Sequence, residues 1–321
     1  MNTPGAQIAD RGAAAPGGQV VGSGEIGTLT VGGPFAGQRQ LVSDYIDLTK
    51  PKVQSLLLLT TVATMEIAGS PAASKIALTC LGGYLSAGGA GAINHYFDRD
   101  IDARMRRTAR RPIPAGRIAP RAALIFGFAL AALSFLELSV TVNVLAASLA
   151  LAGFVGYVGV YTVLLKRRTP HNIVIGGAAG AIPPLVGWAA TRGSLDWTAV
   201  YLFWIVFYWT PPHFWALSLL MKDDYARVGV PMMPVVRGEH ETRRQIVLYT
   251  LLLYAITQLP FCVGAFGFTY LAVSSLLGLA FIAGAIRLYR RADRRSALQL
   301  YLFSLAYLAL LFGAMVVDVK L

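Results

Sequence analysis

Long apolar runs alternate with short, arginine-rich polar stretches along most of the chain. The apolar runs have the length a helix needs to cross about 30 Å of hydrocarbon at about 1.5 Å per residue. Nine such segments are predicted, at residues 53–70, 76–97, 122–140, 143–165, 172–190, 197–220, 245–266, 269–286 and 297–317. Segment 172–190 is rich in Gly and Ala, which suits close helix packing within a bundle rather than contact with lipid. Residues 1–40 contain Pro4, Pro16 and Pro34, are rich in Gly and Ala and carry no apolar run, so they predict a disordered cytoplasmic tail ahead of a single nine-helix domain at 41–321. They do not read as a signal peptide, and Asp10 and Glu25 argue against a transit peptide. The fold class expected is all-α: a polytopic membrane bundle around a central cavity open to the cytoplasmic side.

Composition agrees with the pattern. The chain is 55% hydrophobic and 14% charged, and its mean hydropathy of +0.58 is far too high for a soluble domain of 321 residues. The net charge of +12 needs an explanation, and the loops supply it. Of the 28 Lys and Arg residues, 25 fall on the side that holds the N-terminus. Only Lys75, Arg192 and Lys320 fall on the other. Such asymmetry places the N-terminus in the cytoplasm and the C-terminus outside, and the inner membrane of a bacterium is the setting expected. It also tests the count of nine, because a missed or invented helix would mix basic loops across both faces. The basic charge therefore serves topology, and no nucleic-acid-binding module is present. Cys80 and Cys262 lie within predicted spans as small apolar fillers, with neither a disulfide framework nor a zinc spacing.

The chemistry gathers at three cytoplasmic loops. At the end of the second segment Asn94, Asp98 and Asp102 recur every fourth residue, so on a helix they stay within roughly 80° of one another and form one oxygen-rich wall. Carboxylates at a helix C-terminus are disfavoured by the macrodipole, so stability alone would not choose them. Hard cations such as Mg²⁺ take such ligands, with water and phosphate oxygens completing the shell. Downstream, Arg107, Arg110 and Arg111 offer guanidinium forks suited to a diphosphate. A merely solvated helix border is the competing reading for this cluster.

After the fourth segment come Tyr157, Tyr161, Lys166 and Arg167. The two tyrosines lie one turn apart and offer aromatic faces to an allylic cation, although tyrosines near a membrane boundary also serve as interfacial anchors. Lys166 and Arg167 are candidates for diphosphate contact. Near the end of the sixth segment, His213 is an intramembrane ionisable group and hence a functional candidate, a hydrogen-bonded structural histidine being the other reading. Pro211 and Pro212 should break or kink that helix beside it. Asp223 and Asp224 follow, and being adjacent they point about 100° apart, so one of them is expected to face the cavity.

These blocks together resemble the protohaem IX farnesyltransferase (haem O synthase) branch of the UbiA superfamily of intramembrane prenyltransferases. The resemblance rests on the Asn94, Asp98, Asp102 spacing, on Tyr161-Thr162 with Lys166 to Gly177, on Pro212-His213-Phe214-Trp215, and on Asp223-Asp224-Tyr225 with Pro231-Met232-Met233-Pro234. The superfamily's second Asp-x3-Asp pair is missing here, as it is in the haem branch. The resemblance implies a Mg²⁺-dependent transfer of farnesyl from farnesyl diphosphate to a vinyl group of haem b, giving haem O and diphosphate. Haem is then a substrate and not a resident cofactor. Asn94, Asp98, Asp102, Lys166 and Tyr161 would be catalytic, and Asp98, Asp102, Asp223 and Asp224 would supply metal ligands. Arg107, Arg110, Arg111, Arg167, His213 and Tyr157 would bind substrate. His213 would ligate haem iron, orient a water or touch diphosphate, with His171 and His95 as alternative iron contacts. Haem-modifying or oxidase-assembly proteins and the lipid bilayer are the partners implied. A prenyltransferase acting on an aromatic acid or quinone precursor is the alternative. A transporter fits less well, because the acidic residues gather at one face rather than at mid-membrane.

Overall fold

A computed structural model of the chain describes residues 34–321. Among these the fold is all helical: α1 (Pro34–Leu48), α2 (Pro51–Ala68), α3 (Ala73–Arg104), α4 (Pro120–Thr141), α5 (Val144–Val155) continued by a π-helical stretch (Gly156–Leu165), α6 (Asn172–Gly180), α7 (Ile182–Arg192), α8 (Trp197–Leu220), α9 (Lys222–Arg227), α10 (Met233–Val236), α11 (Gly238–Cys262), α12 (Phe268–Arg291) and α13 (Arg294–Lys320). Local chemistry sets many of the starts. Pro51 and Pro120 occupy first-turn positions of α2 and α4, where a missing N–H costs nothing. Asn143, Asp196 and Asp293 cap α5, α8 and α13 by accepting from first-turn backbone N–H groups.

Seven helical spans among the described residues are long and apolar enough to cross a membrane, counting α5 with its π-helical continuation and α6 with α7 as one each. The first and sixth predicted segments are also helical, as α2 and α8, but they are less apolar. Helix α2 buries Gln54, Thr60, Thr61 and Thr64, and α8 carries Thr210, Pro211, Pro212 and His213. The chain is a multi-pass membrane protein. Isoleucine, leucine, valine and phenylalanine side chains such as Ile125, Phe128, Leu136, Val140, Leu276 and Leu310 stand on outward faces, where lipid and not water is the solvent.

Two sequence expectations change. The tail expected through residue 40 overlaps α1, which begins at Pro34, while residues 1–33 lie outside the described ones. The Pro211-Pro212 pair does not interrupt α8, which runs on to Leu220. It withdraws two backbone donors, but the aromatic packing around the pair holds the helix together: Trp209, His213 and Trp215 are all buried there.

The helices close into a ring. Helix α3 packs on α4, α4 on α5, α8 on α11, α11 on α12, α12 on α13, and α13 returns to α2, which also packs on α7. The largest apolar core lies between α8, α11, α12 and α13 around Trp215, Tyr270, Phe281, Tyr307 and Phe312. On the other side α3 and α4 cross closely at two glycines. A Cβ on Gly89 would stand 2.6 Å from the Gly127 carbonyl oxygen, and one on Gly127 would stand 2.8 Å from that of Gly89. This contact is what lets the longest helix run flush with its neighbour. Helix α3 has 32 residues, about 48 Å of rise, so its last turns reach beyond a hydrocarbon layer of about 30 Å. Asn94, Asp98 and Asp102 lie on those turns.

Candidate active site

The oxygen wall forms as the helical spacing predicts. Asn94, Asp98 and Asp102 are all buried on α3, and each is met by a cation or a hydroxyl from a different part of the chain. Lys166, at the end of the π-helical stretch, donates to Asp98 Oδ2. Arg111 Nη1 donates to Asp102 Oδ2 at 2.6 Å, and Lys50 Nζ donates to Asn94 Oδ1 at 2.6 Å. Asn94 Nδ2 in turn donates to Thr162 Oγ1 at 3.2 Å, tying α3 to the π-helical stretch. Three cations from three loops thus converge on one buried face. Burial, reinforced by Arg111 and Lys166 nearby, pushes the Lys50 ammonium down to about 7.

Backbone conformation places two of these cations. Lys50 has φ 55° and ψ 55°, a left-handed conformation that costs a side-chain-bearing residue on the order of 1–2 kcal/mol. That turn directs the chain from α1 into α2 with the ammonium facing the wall. The π-helical register around Tyr157 and Tyr161, in which Lys166 N donates to Tyr161 O at 2.8 Å, carries Lys166 to Asp98. π-Helical turns are rare and concentrate at functional sites. Tyr157 and Tyr161 pair at 5.3 Å between ring centroids. Tyr161 presses so closely on α6 that a Cβ on Gly176 would stand 2.5 Å from its ring, which explains a glycine there. The Asn172 side chain donates to the carbonyls of Lys166 and Thr169 and secures the turn into α6.

The other expected residues divide. Arg167 forks onto Asp100 at 2.6 and 2.8 Å and reaches Asp98 Oδ1 only at 4.0 Å, so its main partner is a carboxylate outside the wall. Arg107 and Arg110 are exposed and do not reach the wall; among the three arginines expected there, Arg111 does. The loop that carries them is fastened elsewhere, by Arg117 on the buried carboxylate of Asp44 in α1 at 2.9 Å. That fork holds the Asp44 carboxyl below the ordinary carboxylate range. Sequence reasoning did not single out Lys50 for the site. Its only signal was a Lys-Pro step opening a helix.

The structure does not bring Asp223 and Asp224 together with Asp98 and Asp102. Among the described residues no three carboxylate, histidine or cysteine side chains gather in a group able to hold a metal. Asp223 is exposed, and Asp224 is taken by Arg227 one helical turn away at 3.2 Å. Helix α9 is nevertheless held near the wall through Tyr225, which packs with Ile101, Met105, Tyr161 and Met232. His213 also lies apart from the wall residues in its contacts. Its Nδ1 is 2.7 Å from Ser304 Oγ on α13, and its ring stacks on Trp209 at 4.4 Å. His95 is buried with neither ring nitrogen hydrogen-bonded, and His171 is exposed at the start of α6.

The wall's chemistry fits a divalent cation in part. The donors are hard oxygens, and Asp98 Oδ1 is a buried carboxylate oxygen that accepts no hydrogen bond. Two protein carboxylates suit a Mg²⁺ ion whose remaining positions are water and phosphate. The cations opposite the wall are the kind of group that grips a diphosphate.

The UbiA prenyltransferase family profile matches residues 56–311. The chain is 55% identical over 284 residues to a protoheme IX farnesyltransferase from Roseiflexus sp. (strain RS-1), the match covering 88% of this chain and 53% of that protein. It is 55% identical to one from Thermus thermophilus over 86% of this chain and 46% of the relative. The chain thus spans about half the length of these relatives. A protoheme IX farnesyltransferase from Symbiobacterium thermophilum is 54% identical, with 87% of this chain and 95% of the relative covered. Among solved structures, a digeranylgeranylglyceryl phosphate synthase aligns with TM-score 0.73 at 20% identity, over 88% of this chain and 100% of that one. A UbiA homolog from Archaeoglobus fulgidus bound to DMAPP and Mg²⁺ aligns with TM-score 0.65 at 16% identity, over 85% and 99%. These structures share the helical fold.

Proposed function

Because the chain belongs to the UbiA prenyltransferase family, we propose that it transfers the farnesyl group of farnesyl diphosphate to a vinyl group of haem b, giving haem O. One observation carries the reading: a buried oxygen wall faced by Lys50, Arg111 and Lys166 at one end of an otherwise apolar bundle. The haem acceptor is supported by the name shared by relatives more than 50% identical to this chain.

The residues give the reaction a physical course. Asp98 and Asp102, with Asn94 beside them, would hold Mg²⁺, which when bound offsets negative charge on the leaving diphosphate. Arg111 and Lys166 would turn from the carboxylates, and Lys50 from the Asn94 amide oxygen, to the phosphate oxygens and stabilise them as the C1–O bond of the farnesyl group breaks. The paired rings of Tyr157 and Tyr161 would face the allylic cation. The vinyl carbon then forms the new C–C bond, and a water adds to the resulting carbocation with loss of a proton. Apolar helices keep bulk water from the cation until that step. Asp224 would join the site only after leaving Arg227. The His213 ring, fixed by Ser304 and Trp209, would contact the porphyrin. The site opens to the cytoplasm in this reading, with the protein in the inner membrane of a bacterium and its C-terminus outside, as the basic loops argue.

Mass spectrometry of haem, after incubation of the purified protein with haem b, farnesyl diphosphate and Mg²⁺, tests the proposal. A product carrying farnesyl plus one water, absent with EDTA, supports it. No haem product, with diphosphate still released when an aromatic acid is supplied, moves the assignment to an aromatic-acceptor prenyltransferase.

A further inference from the structure

One buried group on the wall's own helix has no part in the diphosphate chemistry above. His95 follows Asn94 on α3, it is 3% exposed, and neither ring nitrogen has a hydrogen-bond partner among the described residues. Buried polar groups in folded proteins are nearly always partnered. Asn94, Asp98 and Asp102 each have at least one partner. An imidazole open at both nitrogens is the exception in this cluster.

Helix geometry sets the ring among the cations. At about 100° per residue, His95 lies within roughly 20° of Asp102 and 60° of Asp98 around α3, so it belongs to the wall's face. Four residues before it, Gly91 lies against the turn between α1 and α2: a Cβ there would stand 3.0 Å from the Leu48 carbonyl oxygen. One helical turn further on, His95 meets the same connection where it runs into Lys50. Lys50, Arg111 and Lys166 are the charges that act on its ring, and they are the three cations that face Asn94, Asp102 and Asp98.

That setting selects the chemistry of the partner. An imidazole offers at least one N–H in either tautomer or when protonated. A donor set among three cations suits an anion, and a metal centre such as haem iron, itself positive, is opposed by the same three charges. We propose that His95 is a further diphosphate-binding residue, its ring N–H donating to a phosphate oxygen of the prenyl donor, a proposal that rests on the diphosphate reading above. Arg111 and Lys166 must leave a carboxylate, and Lys50 an amide oxygen, to reach the phosphates. His95 leaves nothing, so its hydrogen bond is gained without another being broken. An unpartnered buried group costs stability in the free protein, and the substrate relieves that cost.

The test is thermal unfolding of the full chain in detergent, with and without Mg²⁺ and inorganic diphosphate, for the wild type, His95→Leu, His95→Met and His95→Gln. A ligand that binds the folded state raises the midpoint according to its concentration relative to Kd, so each series gives an affinity that needs neither turnover nor haem. Without ligand, the Leu and Met variants should melt at the wild-type temperature or up to about 4 °C above it, because an apolar side chain of similar size replaces an unpartnered polar one. With Mg²⁺ and diphosphate both should bind about tenfold more weakly, the loss expected of one hydrogen bond to a charged group. His95→Gln keeps an N–H and should stay within about threefold of the wild type. A Soret titration with haem b should give one affinity for all four proteins. Apolar variants that bind diphosphate as the wild type does overturn the assignment, and so does a loss confined to haem b. Leu and Met variants that both melt several degrees below the wild type make the ring a packing element and overturn it as well. A wild type whose midpoint does not respond to Mg²⁺ and diphosphate removes the diphosphate wall and His95 together.

Discussion

Replacing Lys166 by Met separates what the wall contributes to folding from what it contributes to chemistry. The side chain of Asp98 is 2% exposed and that of Lys166 13%, so Lys166→Met leaves a buried carboxylate without its close partner. Removing one member of a buried ion pair costs about 3–5 kcal/mol. The lower end applies here, because Lys166 is partly wet and the Arg167 guanidinium, 4.0 Å from Asp98 Oδ1, remains to compensate. For a chain of this size a loss of about 3 kcal/mol lowers the melting temperature by about 6 °C. Asp98→Asn with Lys166→Met removes both charges, and the double variant should recover about 2 kcal/mol of the loss, the coupling expected of groups in contact. Thermal unfolding of the four proteins in one detergent, followed by the fraction remaining monodisperse, gives the cycle. Diphosphate release should behave differently: every variant falls by on the order of 10² or more, because restoring neutrality does not restore a phosphate grip. A double variant as unstable as the sum of its parts would refute the ion-pair reasoning, and recovery of turnover along with stability would refute the catalytic role of Lys166.

Asp102→Ala should abolish farnesyl transfer while the protein remains folded in membranes, and full activity in that variant removes the wall from the chemistry. His213→Ala deletes a ring bonded to Ser304 and stacked on Trp209, and it should weaken use of haem by about tenfold more than binding of farnesyl diphosphate; equal loss of both counts against porphyrin contact. Gly176→Leu drives a side chain into Tyr161 and should cost at least about 1–3 kcal/mol together with turnover, read by unfolding and by product yield, and a variant of unchanged stability would mean that α6 and the π-helical stretch are not held in contact. The Asp44 carboxyl is held low by Arg117, so the stability from that pair is present above the ordinary carboxylate range, near pH 4, and is lost as pH falls through the lower folded value. Asp44→Asn should therefore be the less stable protein at pH 7 and should show a flatter decline on acidification below about pH 4, measured by unfolding midpoints; parallel curves would deny the pair its role in fastening the loop that carries Arg111.

Much of the site was legible where one helix carries it and illegible where distant segments meet. A four-residue recurrence encodes a face, so Asn94, Asp98 and Asp102 could be placed on one wall from spacing alone, and the apolar run before them fixed the end of the bundle to which they belong. What faces that wall is decided by contacts between residues 44 and 68 positions apart, Lys50 with Asn94 and Asn94 with Thr162, and no local pattern carries that information. The arginine run shows the same limit. Arg107, Arg110 and Arg111 are equivalent as sequence, yet only Arg111 reaches a carboxylate of the wall, because the loop's path is set by Arg117 anchoring on Asp44. Nor could a one-turn spacing of Tyr157 and Tyr161 reveal a π-helical register, since the extra residue per turn is imposed by packing against Gly176 and by the bond from Thr162 to the Tyr157 carbonyl. Proline failed as a breaker for a related reason. The aromatic core around Trp209 and Trp215 is extensive enough to hold α8 continuous across two missing donors. Each miss therefore falls where a side chain's role depends on a partner from another helix, and the polar centre of this bundle is assembled from such partners.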